Sequence, residues 1–153
     1  YGLISFGDNK PNGWAELTPY HWIYLFSECG RWLANWCDRT NGWENFNSWD
    51  WCGILAEKPQ FSDRCDKVNG WEKFNPWDWC ELLVKQPQLA DRCDKVNGWE
   101  EFDSENWVNL LSEQPQLADR CDKVNGWKFD SRHWDCLLWN QPQLADRRKN
   151  QSK

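Results

Sequence analysis

The chain has 153 residues, a formal net charge of −6 and a hydrophobic content of 40%. An acidic balance disfavours a nucleic-acid-binding protein, because a phosphate-binding array needs a basic surface. No apolar run approaches the roughly 18–20 residues that a membrane span requires.

A repeated segment organises the chain from Asn12 onward. The triplet Asn-Gly-Trp recurs every 28 residues, except that the first copy stands 29 residues before the second. The predicted elements are a cap segment (1–11), five repeats (12–40, 41–68, 69–96, 97–124 and 125–148) and a polar tail (149–153). With the Trp of each triplet as position zero, Phe stands at three (Leu17 in the first repeat), Trp at eight and an apolar pair at eleven and twelve. The fifth repeat lacks one residue after Trp127.

Each repeat predicts two short helices. Positions eight, eleven and twelve have the spacing of one helical face. Capping residues precede the first helix at Thr18, Asn47, Asn75, Asp103 and Asp130. The second helix is predicted to begin at Pro59, Pro87, Pro115 and Pro142, because Pro is tolerated only in a first turn. We expect Gly98 and its equivalents to end that helix with a positive φ.

The pattern predicts an all-α fold, a short α-solenoid of about five two-helix repeats. One repeat cannot bury its own apolar face, so its stability must come from stacking on its neighbours. A buried Trp contributes several kcal/mol at about 25 cal/mol per Å². We therefore expect inter-repeat core at position zero, with a ladder of ligand-binding indoles as the alternative. The residues are Trp14, Trp43, Trp71, Trp99 and Trp127.

The repeat unit is close to W-x-x-F-x-x-x-x-W-x-x-L-L-x-x-Q-P-Q-L-A-D-R-C-D. It resembles the tandem Trp/Leu-rich helical repeats of bacteria, over the range from Asn12 to Arg147. The resemblance implies a helical repeat architecture and carries no activity onto these residues.

The cysteines recur at two repeat positions, and two interpretations stay open. They stand at position nine (Cys52, Cys80, Cys136) and position twenty-two (Cys65, Cys93, Cys121), with Cys37 one residue later. Disulfides across the repeat boundary would join Cys37 with Cys52, Cys65 with Cys80 and Cys121 with Cys136, which implies an oxidising compartment. Alternatively, both are small apolar core positions that hold thiols. Cytoplasmic and secreted locations stay open with this question.

The motifs of catalytic and metal sites are missing from the sequence. His21 and His133 take position seven, which holds Asp50, Asp78 and Asn106 elsewhere, and we interpret it as a polar, solvent-facing position. The dipeptide Asp-Arg recurs along the array, which is typical of ion pairs between repeats that contribute about 0–1 kcal/mol each. Without C-x-x-C or a second ligand near either His, we expect no metal, no cofactor and no enzymatic activity.

Position six lies roughly 160° around the first helix from position eight, so its side chain should point away from the core. The column holds Tyr20, Trp49, Trp77, Glu105 and Arg132. Its aromatic members can fold back as staples. Alternatively, Tyr20, Trp49 and Trp77 form an exposed aromatic strip flanked by His21, Asp50 and Asp78. Trp139, which also breaks its column, would cover the end of the stack or meet another copy.

These patterns predict a non-enzymatic interaction scaffold that binds a protein or peptide partner through the aromatic strip, because Trp and Tyr dominate binding energies at interfaces. Stacking of glycan rings on the same strip is the second hypothesis. The third is end-to-end self-association, since an open array with repeated faces can form filaments.

Overall fold

The structure, a computed structural model, describes residues 19–151. The predicted cap segment 1–11, the core residue Trp14 and the cap Thr18 lie outside the described residues, as do the last two residues of the tail. The α-helices are α1 (Pro19–Thr40), α2 (Ser48–Glu57), α3 (Ser62–Lys67), α4 (Pro76–Lys85), α5 (Ala90–Lys95), α6 (Ser104–Glu113), α7 (Ala118–Lys123), α8 (Ser131–Asn140) and α9 (Ala145–Gln151). The described part of the chain contains no β-strand. None of its helices has the length and apolar character to cross a membrane.

The repeats share one order of elements, which makes the fold an all-α repeat solenoid. A ten-residue α-helix is followed by a short 3₁₀-helix and then by a six-residue α-helix in the second to fourth repeats. The 3₁₀-helices are Gly42–Asn45, Pro59–Phe61, Gly70–Lys73, Pro87–Leu89, Gly98–Glu101, Pro115–Leu117 and Pro142–Leu144. The proline that recurs at this position of the repeat thus begins a 3₁₀-helix that leads into the second α-helix. Helix α9 continues to Gln151, so the predicted polar tail begins as helix.

The first repeat differs because α1 runs through both predicted helices. This helix has 22 residues and a kink at Cys29, where φ is −125° and ψ is 22°. Cys29 and Gly30 stand where Gln86 and Pro87 stand in the third repeat. Without the proline, the backbone N–H remains and the helix can continue past the junction.

Capping boxes fix the start of the first helix in the later repeats. The Asn75 side chain accepts a hydrogen bond from the Asp78 N–H at 2.9 Å, and the Asp78 carboxylate accepts one from the Asn75 N–H at 3.1 Å. The same reciprocal pair joins Asn47 with Asp50, Asp103 with Asn106 and Asp130 with His133. The helix starts predicted at Asn47, Asn75, Asp103 and Asp130 are confirmed.

The residue with positive φ after the second helix is Asn, and the prediction that Gly98 takes this conformation was wrong. The residues with positive φ are Asn41 (54°), Asn69 (52°), Asn97 (54°) and Asn125 (53°), and no described Gly is among them. Asn tolerates the left-handed region because its short side chain can bond locally. Gly98 serves close packing instead, since a Cβ there would lie 2.7 Å from Cys93 Sγ and 2.8 Å from Trp79 Nε1.

Within the described residues the fold divides between Gly70 and Trp71 into two compact units. In the first unit, aromatic rings join the first repeat to the second. Trp22 contacts Phe46 with ring centroids 4.5 Å apart, and Phe26 stacks on Trp43 at 5.6 Å. These contacts hold α1 against α2, so the two repeats share one core.

The second unit contains the third, fourth and fifth repeats. The Trp at position zero stacks on the Trp at position eight in each, with centroids 5.4, 5.3 and 5.5 Å apart. Hydrogen bonds join successive repeats, because Gln114 Nε2 donates to the Val84 carbonyl and Gln141 Nε2 to the Ser112 carbonyl, both at 2.6 Å. The predicted core positions are confirmed as buried at Trp43, Trp71, Trp99 and Trp127.

An aspartate near the end of a repeat binds two residues of the next one. In the second unit, Asp94 accepts hydrogen bonds from Trp99 Nε1 at 2.6 Å and from Arg120 at 3.2 Å. Asp122 does the same with Trp127 at 2.6 Å and Arg147 at 3.0 Å, and in the first unit Asp38 does so with Trp43 at 2.7 Å and Arg64 at 3.3 Å. The predicted ion pairs between repeats are confirmed within each unit.

Candidate functional site

The aromatic residues at position six are exposed. The exposed fractions are 74% for Tyr20, 66% for Trp49 and 52% for Trp77. Each is the second residue of its helix, after Pro19, Ser48 and Pro76 respectively. The prediction that position six points away from the core is confirmed, and this exposure favours a surface role over a folded-back staple.

The first unit carries a further exposed aromatic that the sequence analysis missed. Tyr24 is 58% exposed and follows Tyr20 by four residues in α1. Residues four apart lie on one side of a helix, so Tyr20 and Tyr24 share one side of α1. The i, i+4 spacing from Tyr20 was the signal that could have identified it.

In the second unit the column becomes charged after Trp77. Glu105 of α6 and Arg132 of α8 occupy position six and are both exposed. The exposed aromatic character at this position is therefore limited to the first three repeats.

The polar flank of the predicted strip is mostly structural. Asp50 is buried, and its carboxylate accepts the Asn47 N–H at 3.1 Å, so the expectation of a solvent-facing Asp50 was wrong. Asp78 has the same capping role and is partly exposed. His21 is exposed, and its ring packs edge-on against Tyr20 at 6.2 Å. The carboxylates of Asp50 and Asp78 accept backbone hydrogen bonds because position seven is the third residue of a capped helix.

The capping role extends to position seven of the later repeats. Asn106 is 2% exposed and accepts the Asp103 N–H at 3.0 Å. His133 Nδ1 lies 2.9 Å from Asp130 Oδ1, and the hydrogen bond from the His133 N–H lowers the pKa of Asp130. Position seven is thus a helix-capping position in the second to fifth repeats. The expectation that it faces solvent is confirmed at His21 and wrong at Asp50 and Asn106.

Asp50 gives a testable pH dependence. Burial is the largest influence on Asp50 and raises its pKa above the ordinary 3.8, although hydrogen bonds from Asn47 and Trp22 act in the opposite direction. Because the folded-state pKa is the higher one, the stabilisation from Asp50 is complete below pH 3.8 and is lost as the pH rises through the folded-state pKa. Asn caps the same position in the fourth repeat. We expect Asp50→Asn to increase the free energy of unfolding at pH 7 and to change it little at about pH 3.

Urea denaturation across this pH range measures the effect. The matched control is Asp78→Asn, which changes the same helix position at a less buried side chain and should gain less stability. An Asp50→Asn chain that is less stable than the parent at pH 7 would contradict the raised pKa of Asp50.

All eight cysteines are free thiols in the structure, which thus has none of the disulfides across repeat boundaries that one of the two interpretations required. The buried ones are Cys37, Cys52, Cys65, Cys80, Cys93 and Cys121. Burial raises the pKa of the Cys37 and Cys80 thiols to about 12, which keeps them protonated and unreactive at neutral pH. The interpretation as small core positions is confirmed for the buried residues.

Cys136 is exposed, and the prediction that it occupies position nine was wrong. The residue missing after Trp127 shifts the register, and α8 places Asp135 at position nine and Cys136 at position ten. One residue corresponds to about 100° around a helix. Cys136 therefore lies with the exposed Glu81 and Asn109 of the preceding repeats and not with Cys80.

One cleft of the second unit contains a structural ion pair. This open cleft of about 480 Å³ is lined in part by Asp122, Asp146 and Arg147. The Arg147 guanidinium lies 3.0 Å from Asp122 and 3.5 Å from Asp119, so Arg147 serves the contact between repeats. Among residues 19–151, no group of three or more His, Cys, Asp or Glu residues is placed to hold a metal ion.

No family model, curated protein or solved structure matches this chain. The resemblance to bacterial Trp/Leu-rich repeats therefore stays a prediction.

Proposed function

We propose that this chain is a non-enzymatic interaction scaffold that binds a protein or peptide partner through exposed position-six aromatics, with Tyr20 and Trp49 of the first unit as the anchors. The observation that carries the proposal is that Tyr20, Trp49 and Trp77 occupy one repeat position and leave at least 52% of their surface in water. The neighbouring positions seven and eight serve capping and core. Position six is thus available for a partner without cost to the fold.

Aromatic side chains are strong binding anchors. Covering one ring removes on the order of 150–250 Å² from water, which contributes several kcal/mol at about 25 cal/mol per Å². Trp and Tyr also lose little rotamer freedom on binding, and they are enriched among the residues that dominate interface energies. Tyr20 and Trp49 supply two such anchors within one unit.

The neighbouring polar groups favour a peptide over a glycan. A sugar site needs hydrogen-bonding side chains beside its stacking rings, because buried hydroxyls require partners. Asp50 and Asp78 use their carboxylates in capping boxes. Glycan binding by the same aromatics remains the second candidate function, and the test below separates the two.

The proposal of a non-enzymatic protein is supported by the roles of the residues with catalytic chemistry. The recurring Asp and Arg side chains bind neighbouring repeats. His133 caps α8 and the buried thiols are held protonated. Each of these groups thus has a structural role.

Selection of displayed peptides on the immobilised full chain tests the proposal. We expect the selected peptides to lose at least about tenfold in affinity, or 1.4 kcal/mol, on the Tyr20→Ala/Trp49→Ala chain. The thermal midpoint of that variant should stay close to that of the parent, because both side chains are exposed.

Trp139→Ala is the matched control, since it removes an indole that is 88% exposed at a different repeat position. Binding should survive this change. Equal affinity for the parent and the double variant would contradict the proposal. A change in Trp fluorescence on titration with hexasaccharides of glucose or N-acetylglucosamine, absent from the double variant, would establish the glycan function instead.

A further inference from the structure

The second unit shows how one repeat receives the next. Position nine is buried at this junction: Cys80 Sγ donates to the Asn106 carbonyl at 3.4 Å, and Val108 is 6% exposed. Position thirteen holds small or medium side chains, and the carbonyls of Val84 and Ser112 accept hydrogen bonds from the following repeat. The carboxylates of Asp94 and Asp122, at position twenty-three, accept hydrogen bonds from the following Trp and Arg.

The fifth repeat has different residues at positions nine, thirteen, twenty-two and twenty-three. Asp135 replaces the apolar residue at position nine, and Arg148 replaces the buried Cys at position twenty-two. The two side chains pair with each other, with Arg148 Nη1 3.4 Å from Asp135 Oδ1. An additional repeat would have to desolvate this ion pair where the internal repeats bury Cys80 and Cys93, and desolvation of a charge pair is costly.

The remaining two positions also disfavour a further repeat. Lys149 stands at position twenty-three, where Asp94 and Asp122 accept hydrogen bonds, and it offers a donor and a positive charge to an incoming Trp and Arg. Trp139 stands at position thirteen and is 88% exposed, so it does not cover the end of the stack, which was the first of the two roles that the sequence suggested.

The outer end also satisfies an indole that the internal junctions leave without a hydrogen bond. Trp79 and Trp107 have buried Nε1 atoms without a partner among the described residues, packed against the glycine of the next repeat. In the fifth repeat, Trp134 Nε1 donates to Gln151 Oε1 at 3.3 Å. Gln151 occupies position twenty-five, which holds Val96 and Val124 in the two preceding repeats.

We propose that the fifth repeat is a C-terminal cap whose outer face excludes a further repeat of this type, from the same chain or from a second copy. Capping repeats with a polar outer face are a general requirement of stacked arrays. This inference is independent of the proposed function. It opposes end-to-end stacking on this face.

Extension of the array tests the cap. A copy of residues 97–124 is joined in register after Gln151, in the parent and in a chain with Asp135→Cys, Trp139→Ser, Arg148→Cys, Lys149→Asp and Gln151→Val. Amide hydrogen exchange of the added repeat is measured in both. We expect the added repeat to exchange like unfolded chain in the parent and at least about tenfold more slowly in the reverted chain.

A chain with the same copy inserted between Val124 and Asn125 is the positive control, because there the added repeat meets natural junctions on both sides. Protection in this control with none in the parent fusion supports the cap. Equal protection of the added repeat in the parent and reverted fusions would overturn it. Exposure in both fusions, with protection in the control, would also overturn it, because the substituted residues would then not be the cause.

Discussion

Replacing Trp107 by Ala is expected to lower the free energy of unfolding by about 3–5 kcal/mol, the range of large core truncations. Trp107 is fully buried and packs with Trp99 at 5.3 Å and Phe102 at 4.8 Å. Its Nε1 also lies 2.6 Å from the point that a Cβ on Gly126 would occupy. The substitution therefore removes contacts within the fourth repeat and at its junction with the fifth.

Trp77→Ala is the matched control, because the same side chain is removed from an exposed position. We expect a change within about 0.5 kcal/mol, as for other surface substitutions. Urea denaturation of both variants, followed by circular dichroism, measures the difference. Similar losses for the two would show that position six belongs to the core.

The second large effect is expected at Gly98. An added Cβ would lie 2.7 Å from Cys93 Sγ and 2.8 Å from Trp79 Nε1, and the Trp79 ring is fixed by its stacking on Trp71. We expect Gly98→Ala to lower the free energy of unfolding by about 1–3 kcal/mol, the range of overpacked cores.

Gly30→Ala provides the contrast, since a Cβ at Gly30 meets nothing within 4 Å. Ala is favoured over Gly in helices by up to about 1 kcal/mol, so this chain should be as stable as the parent or more stable. The same denaturation measurement serves both variants. If Gly98→Ala is as stable as Gly30→Ala, the close approach at the Asn-Gly-Trp triplet is not a packing constraint.

The helical fold was predictable because it follows from spacing that recurs along the chain. The apolar residues at positions eight, eleven and twelve define one helix face, and caps such as Asn75 followed by Pro76 mark its start. Burial of Trp71 and Trp99 followed from the same pattern, since a Trp recurs at position zero of every repeat. The exposure of Trp49 and Trp77 followed from their angle around the helix.

Other features depend on geometry that spacing does not encode. Asn and Gly both favour helix ends, and only the backbone shows that Asn97 takes the positive φ while Gly98 makes room for Trp79. Asp50 is polar in sequence, yet its position at the third residue of a capped helix buries it. A single missing residue moves Cys136 out of the core position, because register in a helix changes by about 100° per residue.

The folding of one isolated repeat tests most directly whether stacking between repeats supports the fold. We expect a peptide of residues 97–124 to show little helix by circular dichroism at 25 °C and no cooperative melting. The full chain should melt cooperatively, because its short helices gain stability from packing and hydrogen bonds between neighbouring repeats. Full helicity with a cooperative transition in the isolated peptide would contradict this account.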